Sequence, residues 1–178
     1  MKIIPVETNK QLRQFIDLPY RLYKEDPLWV APLRSEQRAQ FKPDKNRMLD
    51  HCEYQLFLAE EDGQIVGRIS AFLDTLALEH WQQPIGLFGS FECVKDPRVS
   101  HGLLLAARDW LKQKNMSIMR GPWSFASQEW GLVVEGFEPA PVILAPHNPP
   151  YYNDFLAGFG LAKANDLLVY EIDASKGY

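Results

Sequence analysis

The sequence predicts an α+β domain, a mixed and mostly antiparallel sheet flanked by helices, and three stretches carry that prediction. Residues 85–115 begin with a strand-like segment, IGLFGSFECV, pass through KDPRVSH, and end in a helix-like segment, GLLLAARDWLKQKN. In the first part Ile85, Leu87, Phe91 and Cys93 recur at period two on one face, with Phe88, Ser90, Glu92 and Val94 on the other, as in a strand buried on both sides. In the last part the apolar spacing changes to three and four, so that Leu103, Leu104, Ala107, Trp110 and Leu111 form a stripe able to pack on a sheet. Upstream, strand patterns over 55–60 and 64–74 flank Glu61-Asp62-Gly63, and Asp-Gly is a strong hairpin signal because Gly accepts positive φ. Downstream, SIMRG at 117–121 is a short strand after a helix, and so should run parallel to the 85–94 strand.

The other elements follow in chain order. Residues 2–6 make a first strand, and Thr8 with Gln11 has the spacing of a capping box that opens a helix. Leu12, Phe15 and Ile16 give that helix its inward face, and Pro19 is expected to kink or restart it before Leu22 and Tyr23. DPLWVAPL at 26–33 reads as an extended segment with Trp29 buried between its prolines, and Ser35 as the cap of a short second helix. PDKNRMLDHCEY is a polar loop with at most one helical turn. After the central strand, Asp96-Pro97 marks the switch to a helix over 97–114, since Asp is a favoured N-cap and Pro suits the first helical position. Residues 123–145 hold two apolar runs, 132–134 and 142–144, compatible with a hairpin or with a strand beside a short helix. Asn148-Pro149-Pro150 starts a helix through Tyr152, Phe155 and Leu156 to a stop at Gly158 or Gly160, and residues 166–172 close as a strand.

Composition narrows the function classes. A chain of 178 residues is one domain, 1–178, by length, and its 46% hydrophobic and 24% charged residues are ordinary for a globular protein. A net charge of -4 spread along the chain argues against a nucleic-acid partner. No apolar run approaches the roughly 20 residues of a spanning helix, and MKIIPVETNK lacks a signal peptide's apolar core, so a membrane is not expected and the cytoplasm is the default location. Cys52 and Cys93, without CxxC spacing, are expected to be free, reduced thiols.

Several stretches resemble one branch of the GNAT acyltransferase superfamily, whose chains carry DPxWVPPL, VGRI, F-E-x-V-x-D-P, RGP, MPHNPPYY and D-L-x-x-Y in that order. Here these stand as DPLWVAPL, VGRI at 66–69, FECVKDP at 91–97, RGP at 120–122, APHNPPYY at 145–152 and DLLVY at 166–170. The resemblance covers nearly the whole chain, and chains of that branch often continue into a second GNAT-like half. It implies a GNAT-like mixed sheet whose fourth and fifth strands splay apart, with acetyl-CoA or another acyl-CoA in the gap and its pyrophosphate on the helix after strand four. The implied activity is acyl transfer to a small-molecule or peptide amine, and the implied cofactor residues are Cys93, Val94, Arg98, Ser100, His101, Gly102 and Leu103. The superfamily's R/Q-x-x-G-x-G/A loop is matched in part: Gly102 falls on the first glycine, Arg98 stands one place early, and Leu104 replaces the second small residue. The tyrosine acid of the superfamily aligns with Phe155 or Leu156, and Tyr152, a turn earlier, is the nearest candidate for that role.

The residues themselves leave alternatives open. Glu92 could be a general base with a raised pKa, or a structural partner of Arg68 or Arg120. His101 could touch phosphate or be a surface histidine, and His147 reads as structural, packing on proline or bonding a turn carbonyl. No metal is expected, since His51, His80, His101 and His147 are scattered without HxH or HExxH spacing. There is no GxSxG, so Ser90 reads as packing, and Trp123, Phe125 and Trp130 could line a cleft or fill the core. With Asp96 capping the helix and Pro97 lacking an N–H, the chain alone is expected to bind CoA weakly or not at all. That favours the alternative of a noncatalytic module joined to a partner half or a second copy.

Overall fold

The computed structural model describes every residue except 126–130, 139, 143–144, 171, 173–174 and 176–178. Its elements are β1 (Lys2–Pro5), α1 (Asn9–Leu22), α2 (Arg34–Ala39), a 3-10 turn (Arg47–Asp50), β2 (Cys52–Glu61), β3 (Gln64–Asp74), α3 (Thr75–Trp81), β4 (Ile85–Cys93), α4 (Pro97–Gln113), β5 (Ile118–Arg120) and α5 (Tyr151–Phe159). The sheet runs in the order β1-β2-β3-β4-β5, antiparallel throughout except for the parallel β4–β5 pair. The β2–β3 hairpin turns on Asp62 and Gly63, both at positive φ (50° and 77°), as a two-residue primed turn requires. Val99, Leu103, Leu104, Ala107 and Leu111 of α4 pack on one sheet face, and Phe15, Ile16 and Leu18 of α1 pack on the other.

The N-terminal helix departs from expectation at Pro19. Thr8 and Gln11 form the capping box, but α1 continues through Pro19 without restarting. A proline there withdraws the N–H that Phe15 C=O would accept. The buried Arg68 of β3 supplies the missing donor, its Nη1 lying 2.8 Å from that oxygen. Thus the helix-breaking residue fixes a guanidinium beneath the helix.

β4 also differs from a regular strand. Arg68 pairs with Glu92 and Ser70 with Gly89, so one extra residue sits in β4, and Ser90 takes it up at φ 46°. Past this bulge the faces exchange: Phe91 and Cys93 join the α4-side cluster with Phe88, whereas Ile85 and Leu87 belong to the α1-side cluster. The uniform period-two reading is corrected accordingly. Glu92 lies on the same side as Arg68, not on the side of Phe88.

Smaller corrections have local causes. Trp29 is half-buried rather than buried, and α2 begins after Leu33 with no side-chain cap, so Ser35 lies inside it. The sequence reading missed α3, which Asp74 caps by accepting from Leu76 N and Ala77 N. The run at 132–134 is irregular loop, and the run at 142–144 lies mostly outside the described residues. Residues 166–170 form no ladder, and Leu167, Leu168, Val169 and Tyr170 are exposed, against the expected closing strand.

Candidate functional site

β5 leaves β4 early. Their pairing joins Ile85, Gly86 and Leu87 to Ile118, Met119 and Arg120, and then the strands part. Trp123 N–H still reaches Phe88 O at 2.8 Å, over a glycine that tolerates no side chain, since a Cβ on Gly89 would lie 1.5 Å from Trp123 O. Beyond this point the edge of β4 is open to α5. Cys93 N–H donates to the Tyr152 hydroxyl at 2.7 Å, and Cys93 C=O accepts from Tyr151 at 3.2 Å. The Tyr152 hydroxyl shares its proton between Cys93 O at 3.1 Å and Glu92 Oε2 at 2.9 Å. Asn148 holds the start of α5 by clasping Val133, accepting from its N–H at 2.7 Å and donating to its carbonyl at 3.3 Å.

Glu92 is the centre of this arrangement. Its Oε2 also accepts from Tyr23 at 2.5 Å, so hydroxyls from the end of α1 and from α5 converge on one carboxyl oxygen. Burial raises the Glu92 pKa against the opposing pull of Arg68 and the two tyrosines. Burial next to this carboxyl also raises Tyr23 and Tyr152, holding both as neutral donors, and raises the Cys93 thiol. Of the two partners considered for Glu92, Arg68 is its neighbour, whereas Arg120 lies over the Trp81 ring.

A second pair borders the first. His147 Nε2 lies 2.9 Å from Asp26 Oδ2, and the His147 ring meets the Tyr23 ring edge-on at 5.3 Å between centroids. This corrects the reading of His147 as a residue that packs on proline or bonds a turn carbonyl. Burial pushes the Asp26 pKa up, but the Leu28 N–H and His147 outweigh it and leave the carboxyl lowered. Trp29 closes the other side of Tyr23, 5.4 Å away. Hence DPLW, VGRI, FECV and PHNPPYY, separated by up to about 120 residues in sequence, meet at one place through Asp26, Arg68, Glu92, His147 and Tyr152. Tyr23 and Asp26 were missed as site residues, although the DP stretch was a visible signal for the second.

The expected cofactor residues run from the end of β4 into the first turns of α4. Asp96 Oδ1 accepts from Arg98 N at 2.8 Å, its carbonyl accepts from the N–H groups of Val99 and Ser100, and Val94 N–H is bonded to Val66 O. The Arg98 guanidinium folds onto Asp96 at 2.6 Å and holds that carboxyl lowered. Ser100 and Leu103 are buried, Gly102 packs against Met1 and Ile3, and His101 meets the Phe159 ring edge-on. Phe125 is core, with Phe41, Tyr54 and Phe72 around it, Trp123 meets Trp81, and Trp130 lies outside the described residues. Both cysteines are free thiols. Folding does gather His51, Cys52 and Asp74, their ligand atoms within 4.8 Å, but the shared Asp74 oxygen is already bonded to His51 and to the α3 N-terminus. Two depressions of about 300 and 330 Å³ lie beside β1 and β2, away from Glu92.

Comparison with known proteins bears on the fold. No family model matches the chain. It is 39% identical over 175 residues to the bacterial ceramide synthase of Caulobacter vibrioides, covering 97% of this chain and 46% of that protein. It is 39% identical over 163 residues to protein YghO of Escherichia coli, covering 91% and 42%. The chain therefore spans about half the length of the curated relatives it matches. Among solved structures it superposes on a tandem GNAT protein from the clavulanic acid biosynthesis pathway (TM-score 0.60, 15% identity, 89% of this chain and 43% of that one). It also superposes on an aminoglycoside acetyltransferase from an uncultured soil metagenomic sample (TM-score 0.56, 12% identity, 97% and 95%). The fold is that of the GNAT acetyltransferases. No helix among the described residues is long and apolar enough to cross a membrane.

Proposed function

We propose that this chain is the acyl-transfer part of an N-acyltransferase that moves an acyl group from acyl-CoA to an amine, with Glu92 as base. The observation that carries the reading is the Glu92 carboxyl, its pKa raised by burial, set by two tyrosine hydroxyls where β4 parts from β5. An amine entering as ammonium must lose a proton before its lone pair attacks the thioester, and a carboxyl of raised pKa suits that transfer. The departing thiolate needs little help, since free thiols have pKa near about 8.5. The acyl-CoA would lie along the open edge of β4, where Cys93, Val94 and the start of α4 line the gap. Tyr152 then serves to position Glu92, because its own raised pKa makes it a reluctant acid. A ceramide is the amide of a long-chain amino alcohol, so the likeness to a ceramide synthase supports a sphingoid-type amine as acceptor.

A second reading, a noncatalytic module completed by a partner half or a second copy, has its own support. Asp96 and Arg98 occupy the N-terminus of α4, and Tyr152 occupies the Cys93 N–H. The test is amide formation from long-chain acyl-CoA and sphinganine, followed by mass spectrometry. Product that falls about a hundredfold or more in Glu92→Gln supports the enzyme. Absence of both product and calorimetric acyl-CoA binding leaves the module.

A further inference from the structure

An ammonium that becomes an amide sheds two protons, and Glu92 can hold only one of them per turnover. The acyl-transfer reading, on which this inference rests, therefore sends the second proton either to the departing thiolate or to a second base beside Glu92. We propose that His147, oriented by Asp26, is the second proton acceptor of the Glu92 site. The Asp26 carboxylate accepts from Nε2–H, which selects that tautomer and leaves Nδ1 with the lone pair of a base. Asp26 is itself fixed by the Leu28 N–H at 2.9 Å, so the pair is anchored on the turn that follows α1. Tyr23 joins it to the first acceptor, its hydroxyl on Glu92 and its ring against His147. The pair also reaches the surface. His147 and Asp26 side chains keep 20% and 33% of their exposure, whereas Tyr23 and Tyr152 are 5% and 1% exposed.

Glu92 takes the first proton from the ammonium, and the freed nitrogen lone pair forms the C–N bond to the thioester carbonyl carbon. The C–S bond breaks with its electron pair leaving on sulfur as thiolate. The second N–H proton passes to Nδ1 of His147, giving an imidazolium that Asp26 stabilises and that the partly exposed ring releases to water. The charged and titratable groups facing His147 are Asp26 from the turn, Tyr23 from α1 and Glu92 from β4, with Arg68 of β3 beyond Glu92.

The experiment measures amide formation against pH for the wild-type chain, His147→Gln and Asp26→Asn, with long-chain acyl-CoA and sphinganine. The expected result is a fall in kcat of about 10² or more in His147→Gln with KM little changed. Asp26→Asn, nearly isosteric, should lower kcat by at least about tenfold by releasing the tautomer. Nitrogen-15 NMR gives a readout that needs no turnover: the wild-type His147 should be the Nε2–H tautomer, and Asp26→Asn should mix the two. Active wild type with an unchanged kcat in a folded His147→Gln, or an Nδ1–H tautomer, overturns the proposal and leaves acyl transfer standing. Wild type that forms no amide overturns the acyl-transfer reading and this proposal together.

Discussion

Replacing Tyr152 with Phe removes one oxygen and leaves the ring, so it isolates what the hydroxyl does. That oxygen accepts the Cys93 N–H at 2.7 Å and bonds Glu92 Oε2 at 2.9 Å, at a residue only 1% exposed. The Cys93 carbonyl keeps the Tyr151 hydroxyl at 3.2 Å, so its loss is small. The N–H has no second partner of that kind. Leaving a buried donor unsatisfied costs about 1–3 kcal/mol and an ordinary hydrogen bond contributes about 0.5–1.5 kcal/mol, so the two together suggest about 3 kcal/mol. For a chain of this size each kcal/mol moves Tm by about 2–4 °C, and the variant should melt about 6–12 °C lower. Calorimetric melting and urea unfolding measure both quantities. Tyr151→Phe, which strips a group whose acceptor stays bonded, should cost under about 1 kcal/mol. A Tyr152→Phe loss no greater than that of Tyr151→Phe would refute the claim that the Cys93 N–H depends on this one hydroxyl. The same freed N–H is where an acyl donor could bond, so acyl-CoA affinity should rise as stability falls.

Two further outcomes follow from the charges. A carboxyl whose folded pKa lies above its unfolded value of about 4.3 binds its proton more tightly when folded, so its contribution to stability is complete below that pH and is lost as pH rises through the raised Glu92 value. Urea unfolding of Glu92→Gln across this window should show that the descent has gone, whereas an unchanged slope would mean that Glu92 is not shifted upward. Asp96→Ala uncaps α4 and releases Arg98, so acyl-CoA binding should tighten about two- to fivefold by calorimetry, with a small loss of thermal stability. A null unchanged by this substitution would mean that the groove itself is closed to the cofactor.

Much of the fold could be read from local chemistry, and the failures share a cause. The hairpin at Asp62-Gly63, the Thr8 capping box and the Asp96-Pro97 helix start each depend on residues within four positions, and each stands where the sequence puts it. Pro19, Ser90 and residues 166–170 depend on partners that no window contains. Pro19 is tolerated because Arg68, forty-nine positions away, satisfies Phe15 O. Ser90 breaks the period because β3 offers one residue fewer than β4 between Arg68 and Ser70. The apolar pattern at 166–170 meets the sequence criterion for a strand, yet a strand forms only where a neighbour supplies its ladder.

The site shows the same division. Glu92 and Tyr152 were legible as residue types that could do proton chemistry, and the resemblance marked the stretches around them. Their relation was not legible, because it is set by the bulge. Without the extra residue at Ser90, Glu92 would stand on the α4 face with Phe88, among Leu103, Leu104 and Ala107, where a carboxyl has no donor. With it, Glu92 turns toward Arg68 and the end of α1, and Pro19 frees the carbonyl that anchors Arg68 there. Two residues that break the rules of their own elements thus place the carboxyl beside a guanidinium and under two hydroxyls. That is the physical reason the proposed proton chemistry is placed on Glu92, whereas the first N–H groups of α4 already have partners.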